Sequence, residues 1–176
     1  YNKFSMDAPS NMFVAEYASR PPMAKIFYED ILMAAVFFGY PLLIENNKYG
    51  IVRHFESRGY DGYVLDRPDH LKVPGSSSNV KTKGIPSNSQ DVIQAHASAI
   101  EDYIHNHVGG KEDGTCGQMY FNRTLEDWVG FKIDKRTKYD LSISSGLALL
   151  ASQKVKGEKP KTNFAEKQFF RRYKTN

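Results

Sequence analysis

Two acidic residues stand where their type and their neighbours permit chemistry. Glu45 follows directly on a short apolar run, in Ile44-Glu45-Asn46-Asn47-Lys48. Ligand sites in open α/β sheets gather at the carboxyl ends of strands, so an acid there has a geometric reason to be functional; a polar strand terminus accounts for it equally. Asp140 opens a helical pattern, in Lys138-Tyr139-Asp140-Leu141-Ser142-Ile143. An acid at a helix start caps free amides and complements the dipole, which needs no reactive role. The small residues Ser144, Ser145, Gly146 and Ala148 would let this helix approach a sheet closely and carry Asp140 to the sheet's rim. Carboxylates converging there bind hard divalent cations through oxygen. Two such cations about 3.5 to 4 Å apart stabilise the attacking and leaving oxygens of phosphodiester hydrolysis.

Other candidate chemistry is weaker. His105 and His107 are two residues apart, so on a helix they face different ways, and no zinc-site acid accompanies them. The chain holds no P-loop pattern, and Ser76-Ser77-Ser78 lacks the glycines of a nucleophile elbow. Asn122-Arg123-Thr124 matches a glycosylation acceptor without a secretory context, and Trp128 reads as a core anchor. The lone Cys116 excludes an internal disulfide and a thiolate zinc site, which suits a reducing compartment.

The elements that must position the two acids follow from apolar spacing. Phe13, Ala15 and Tyr17 alternate with polar or small residues behind the turn chemistry of Asp7-Ala8-Pro9-Ser10-Asn11, the pattern of a hairpin. Ile26, Phe27, Ile31, Ala34, Ala35 and Phe38 recur at three and four residues before Gly39, a helix with a glycine stop. Tyr40 to Ile44 reads as a strand buried on both faces, Tyr49 to Arg58 as a short helix closed by Gly59, and Tyr63-Val64-Leu65 as another strand. Such alternation favours a parallel sheet with helices packed on it. Pro68 to Ser89 reads as a long polar loop with a positive face. Helices follow from Ser89 to Val108, around Leu125 to Val129, and from Tyr139 to near Lys156.

Composition bounds the class. The 176 residues are 40% hydrophobic and 25% charged, enough for one compact domain with a core. The longest apolar run, Ile31 to Tyr40, is about half of what a bilayer span requires, and no signal peptide opens the chain, so no membrane role is expected. The net charge of +4 is uneven: Ala151 to Asn176 carries eight Lys or Arg against two Glu, a net of +6, leaving −2 for the rest. A basic tail can meet phosphates or an acidic protein surface, or simply be solvated.

In their order, Val14-Ala15-Glu16-Tyr17-Ala18-Ser19-Arg20-Pro21, Leu43-Ile44-Glu45-Asn46-Asn47-Lys48-Tyr49-Gly50, Arg136-Thr137-Lys138-Tyr139-Asp140-Leu141 and Gly146-Leu147-Ala148-Leu149 carry a further signal. Together they resemble the nuclease domain of tailed-bacteriophage terminase large subunits, over most of residues 12–153. The resemblance implies an α/β fold of the ribonuclease H-like kind, a mixed sheet flanked by helices, over residues 1–157, followed by a basic tail over 158–176. It implies a metal-dependent endonuclease that cuts concatemeric viral DNA during genome packaging with two Mg²⁺ or Mn²⁺ ions. On that resemblance Glu45 and Asp140 are catalytic metal ligands, and Asn46 orients Glu45 or touches the metal's water shell. Lys48, Arg53, Lys81 and Lys83 are phosphate contacts. The implied partners are double-stranded viral DNA, the portal and procapsid, the small terminase subunit and an ATPase domain of the same polypeptide, in the cytoplasm of a bacterial host.

One departure shapes the expectation. The family's first strand, with its first catalytic Asp, belongs before the hairpin, whereas Tyr1 to Met6 reads as the second strand and Asp7 as part of the turn. The expected domain therefore lacks its first strand and has an incomplete metal site. Two other readings stand beside it: a non-catalytic module that docks DNA or the portal, and another ribonuclease H-like nuclease such as a resolvase or integrase.

Overall fold

A computed structural model describes residues 12–45, 49–68, 71, 82–86, 89–108 and 119–154. The chain divides into two compact units, Tyr1–Ser19 with Gln90–Gln153, and Arg20–Ser89 with Lys154–Asn176.

The second of these is built on two helices, α1 (Ala24–Phe38) and α2 (Gly50–Ser57). Both end as their glycines dictate. Gly39 and Gly59 adopt φ of 70° and 77°, where a Cβ is disfavoured. At each stop two amides turn back: Gly39 N–H donates to the Val36 carbonyl and Tyr40 N–H to that of Ala35, and Gly59 and Tyr60 repeat this with Glu56 and Phe55. The core joins Leu32 and Ala35 of α1, Ile51, Val52 and Phe55 of α2, and Tyr60, Tyr63 and Val64 of the following segment. Val52 and Phe55 are wholly buried, each contributing about 1.5 to 3 kcal/mol. Glu29 links the helices at the surface, its carboxylate meeting His54 Nε2 at 2.8 Å and Arg58 at 2.7 Å.

The expected α/β sheet is not formed, and the fold class is corrected accordingly: among the described residues this is a helical protein with three isolated β-bridges. Leu42 pairs in parallel with Val64, Glu45 in parallel with Ile85, and Asp66 antiparallel with Lys83. The physical reason, where the described residues show it, is a change of partner after the Leu42–Val64 rung. Leu42 exchanges bonds with Tyr63 and Leu65, but the next carbonyl on that side, Ile44, accepts from Ile85. Leu65 in turn passes its carbonyl to Gly84 N–H. A sheet needs one partner kept over successive alternate residues; among the described residues the longest such pairing is that of Leu65 and Arg67 with Gly84 and Thr82, which makes a single bridge. The hairpin expected around Phe13 to Tyr17 has its first strand and its turn, with Asp7, outside the described residues, and residues 12–20 carry no strand assignment.

In the first unit the helices are α3 (Gln90–Tyr103), α4 (Asn122–Gly130) and α5 (Asp140–Lys154). A π turn, Ile104–Val108, extends α3, and a 3₁₀ stretch, Ile133–Lys138, precedes α5. Ile100, Tyr103, Met119 and Trp128 form a core on which Phe13 packs edge-on, 5.2 Å from the Tyr103 ring and 6.0 Å from Trp128. The small residues of α5 do permit close approach, but to a helix rather than a sheet. A Cβ at Gly146 would lie 2.8 Å from His96 Cβ and 3.0 Å from the His96 carbonyl of α3. Among the described residues, no helix is long and apolar enough to cross a membrane.

Candidate carboxylate sites

Glu45 is exposed at the end of its extended segment. A second acid, Asp66, reaches the same place by the same local pattern, because Tyr63-Val64-Leu65-Asp66 repeats the form of Leu42-Leu43-Ile44-Glu45. Both pair with one three-residue stretch: Glu45 with Ile85, Asp66 with Lys83. Alternate residues of an extended segment are about 7 Å apart, so the two bridge partners of these acids, Lys83 and Ile85, flank Gly84 at that spacing. Sequence reasoning missed Asp66, although the rule that singled out Glu45, an acid directly after a short apolar run, applies to it as well.

Lys83 acts first as a strut in this arrangement. Its half-buried ammonium donates to the carbonyls of Val64 at 2.8 Å and Asp61 at 3.2 Å, and lies 3.6 Å from Asp66 Oδ1. A phosphate contact would compete with these bonds. Arg53 lies on the exposed side of α2. Asn46, Lys48 and Lys81 lie outside the described residues.

Asp140 belongs to the other unit, exposed in the first turn of α5. The Ser142 amide at this helix start is capped from another element. Asp127 of α4 accepts from both the Ser142 amide, at 2.6 Å, and the Ser142 hydroxyl, at 2.7 Å. The neighbouring Trp128 Nε1–H donates to Ser145 Oγ at 2.8 Å, and that hydroxyl donates to the Ser142 carbonyl. Buried Ser142 and Ser145 are thus satisfied by α4, which fixes the start of α5. The start of α4 is fixed in turn by Glu16, whose Oε2 accepts from the Thr124 amide and hydroxyl. These tertiary caps leave no short-range sequence signature, because their acids lie on other segments.

His96 is wholly buried beside Gly146, and neither ring nitrogen has a hydrogen-bond partner among the described residues. Burial lowers its pKa below the ordinary imidazole value, and the nearby Arg136 charge lowers it further. It is therefore a neutral core residue rather than a base held by an acid. His105 and His107 fall in the π turn, where the His107 ring lies 5.2 Å from Tyr103.

Glu45 and Asp66 offer only oxygen donors, the set that suits Mg²⁺ or Mn²⁺, and Mg²⁺ takes one or two protein carboxylates while keeping several waters. Among the described residues, no group of three or more His, Cys, Asp and Glu side chains converges. Comparison with family models, curated proteins and solved structures finds no match to this chain.

Proposed function

We propose that the chain is the nuclease part of a phage terminase large subunit, a metal-dependent endonuclease that cuts concatemeric viral DNA as genomes are packaged in the bacterial host. One observation carries the reading: two acidic residues at the ends of short apolar segments, Glu45 and Asp66, both bridge through their backbones to the one stretch Lys83 to Ile85. An oxygen-only pair of this kind supports a hard cation. The metal, once bound, supplies Lewis-acid stabilisation of the charge that develops on phosphate oxygens during hydrolysis. Glu45 and Asp66 would hold it, and Asn46 would orient Glu45. By the resemblance, Asp140 of the α3–α5 unit is a further candidate for this chemistry. Duplex DNA is the substrate, and the portal, procapsid, small subunit and ATPase domain are the partners of the working machine. The ribonuclease H-like sheet is no part of the proposal.

The test is Mn²⁺-dependent nicking of supercoiled plasmid by the complete large subunit. Glu45→Ala and Asp140→Ala are each expected to lower cutting by at least a hundredfold, with circular dichroism unchanged, and Asp66→Asn to lower it while keeping the side chain's volume. Undiminished cutting by Glu45→Ala and Asp140→Ala removes the nuclease assignment and leaves the docking module as the reading to pursue.

A further inference from the structure

The described part of the α3–α5 unit is acidic, with eight Asp or Glu against five Lys or Arg, yet four of those five cations, with the single acid Asp134, fall within Lys132 to Lys138, a local net of +3. Lys132, Lys135 and Lys138 are exposed, while Arg136 is half-buried.

The segment is also closed at its base. Phe131 and Tyr139 meet edge-on, with ring centroids 5.7 Å apart, so the residues on either side of the 3₁₀ stretch are clasped. Phe131 also packs edge-on against buried His96 at 5.9 Å. Gly130 gives the Tyr139 ring its seat, since a Cβ there would come within 3.2 Å of it. Two turns fill the loop, Lys135 N–H donating to the Lys132 carbonyl and Tyr139 N–H to that of Arg136, with a kink at Lys135. The backbone bearing the lysines is thus ordered before any partner arrives, which lowers the entropic cost of binding.

We infer that the clasped loop from Phe131 to Tyr139 is a contact surface for the phosphate backbone of duplex DNA, made by Lys132, Lys135 and Lys138. The inference rests on the proposed function for its choice of DNA. At the roughly 2 Å rise of a 3₁₀ helix, the six steps from Lys132 to Lys138 reach about 12 Å, a distance that covers a few successive phosphates of one strand. An acidic protein is the less suitable partner. Protein interfaces are depleted in Lys and rely on aromatic and Arg anchors, whereas this loop exposes lysines and holds its Arg half-buried. Phosphate contacts need only placed positive charge. The loop runs directly into α5, so DNA held on it passes Asp140, two residues beyond Lys138.

The experiment is fluorescence anisotropy of this chain with a labelled duplex oligonucleotide, in EDTA and over a range of salt, so that neither metal nor cutting enters the result. Replacing all three residues, Lys132→Gln, Lys135→Gln and Lys138→Gln, is expected to weaken binding about tenfold or more. The slope of log K against log salt should fall by about 2 to 3, near 0.9 for each lost contact. The corresponding Lys→Arg changes should retain both affinity and slope, and Lys25→Gln, at an exposed position of α1, should alter neither. The inference is overturned if the unaltered chain does not bind the duplex, if the triple Gln variant keeps the original slope, or if its loss is confined to binding of a polyglutamate peptide. Loss of nicking in the Glu45 variant with an unchanged salt slope in the triple variant sinks this surface alone. The reverse result sinks the nuclease reading alone.

Discussion

Single residues decide the pH response and the seating of α5. His96 is buried without a hydrogen-bond partner among the described residues, and its pKa is lowered by desolvation first and Arg136 second. The unfolded imidazole titrates near about 6.5, so below that pH the unfolded chain binds a proton that the folded chain resists. The sign follows: this residue leaves stability unchanged above about pH 6.5 and subtracts from it as pH falls further. Urea midpoints should therefore drop between about pH 7.5 and 5.5. His96→Leu, which has nothing to protonate, should flatten that drop, and an identical slope in the variant would falsify the role. Asp127 is the second such residue. Asp127→Ala leaves the amide and hydroxyl of buried Ser142 without their acceptor and should cost about 1 to 2 kcal/mol, with Asp127→Asn recovering part of it. Equal melting temperatures for Asp127→Ala and the unaltered chain would contradict the cap. Of the acids, Glu45 and Asp140 were legible because each adjoins a recognisable local pattern, whereas Asp127 and Glu16 act on amides 15 and 108 residues away.

At the scale of elements, helices were legible and strands were not. The three- and four-residue spacing before Gly39 gives α1, Gly59 closes α2 as expected, and the pattern from Tyr139 gives α5 within one residue of its observed start. A helix satisfies its own backbone, so local sequence suffices to specify it. Leu42 to Ile44 and Tyr63 to Leu65 have strand composition and do pair once in parallel, but a strand needs a partner that remains beside it, and that partner comes from elsewhere in the chain. The small residues of α5 show the same division: spacing predicts a close contact, while tertiary packing supplies α3 instead of a sheet. Gly146→Ala tests the contact. Its Cβ would meet the His96 Cβ and backbone carbonyl, and the expected loss on the order of 1 to 3 kcal/mol exceeds the roughly 1 kcal/mol that Ala gains in helix propensity. A variant more stable in urea than the original would show that α3 yields easily.

For the molecule as a whole, helix should dominate the far-UV circular dichroism of the purified chain. A spectrum dominated by strand would restore the sheet that the motif order implied. Among the described residues of the α3–α5 unit, four of the five Lys or Arg collect in one clasped loop, together with Asp134. By itself the sequence determined the helices, their glycine stops, the net charge and the two acids beside apolar patterns, because each depends on residues within about one or two turns of one another. Only the tertiary structure decided that the extended segments change partners instead of forming a sheet, that Asp66 joins Glu45 beside Lys83 to Ile85, and that Asp127 rather than Asp140 caps Ser142. Those outcomes depend on which distant backbone groups reach an unpaired amide or carbonyl first, and that competition is settled by packing.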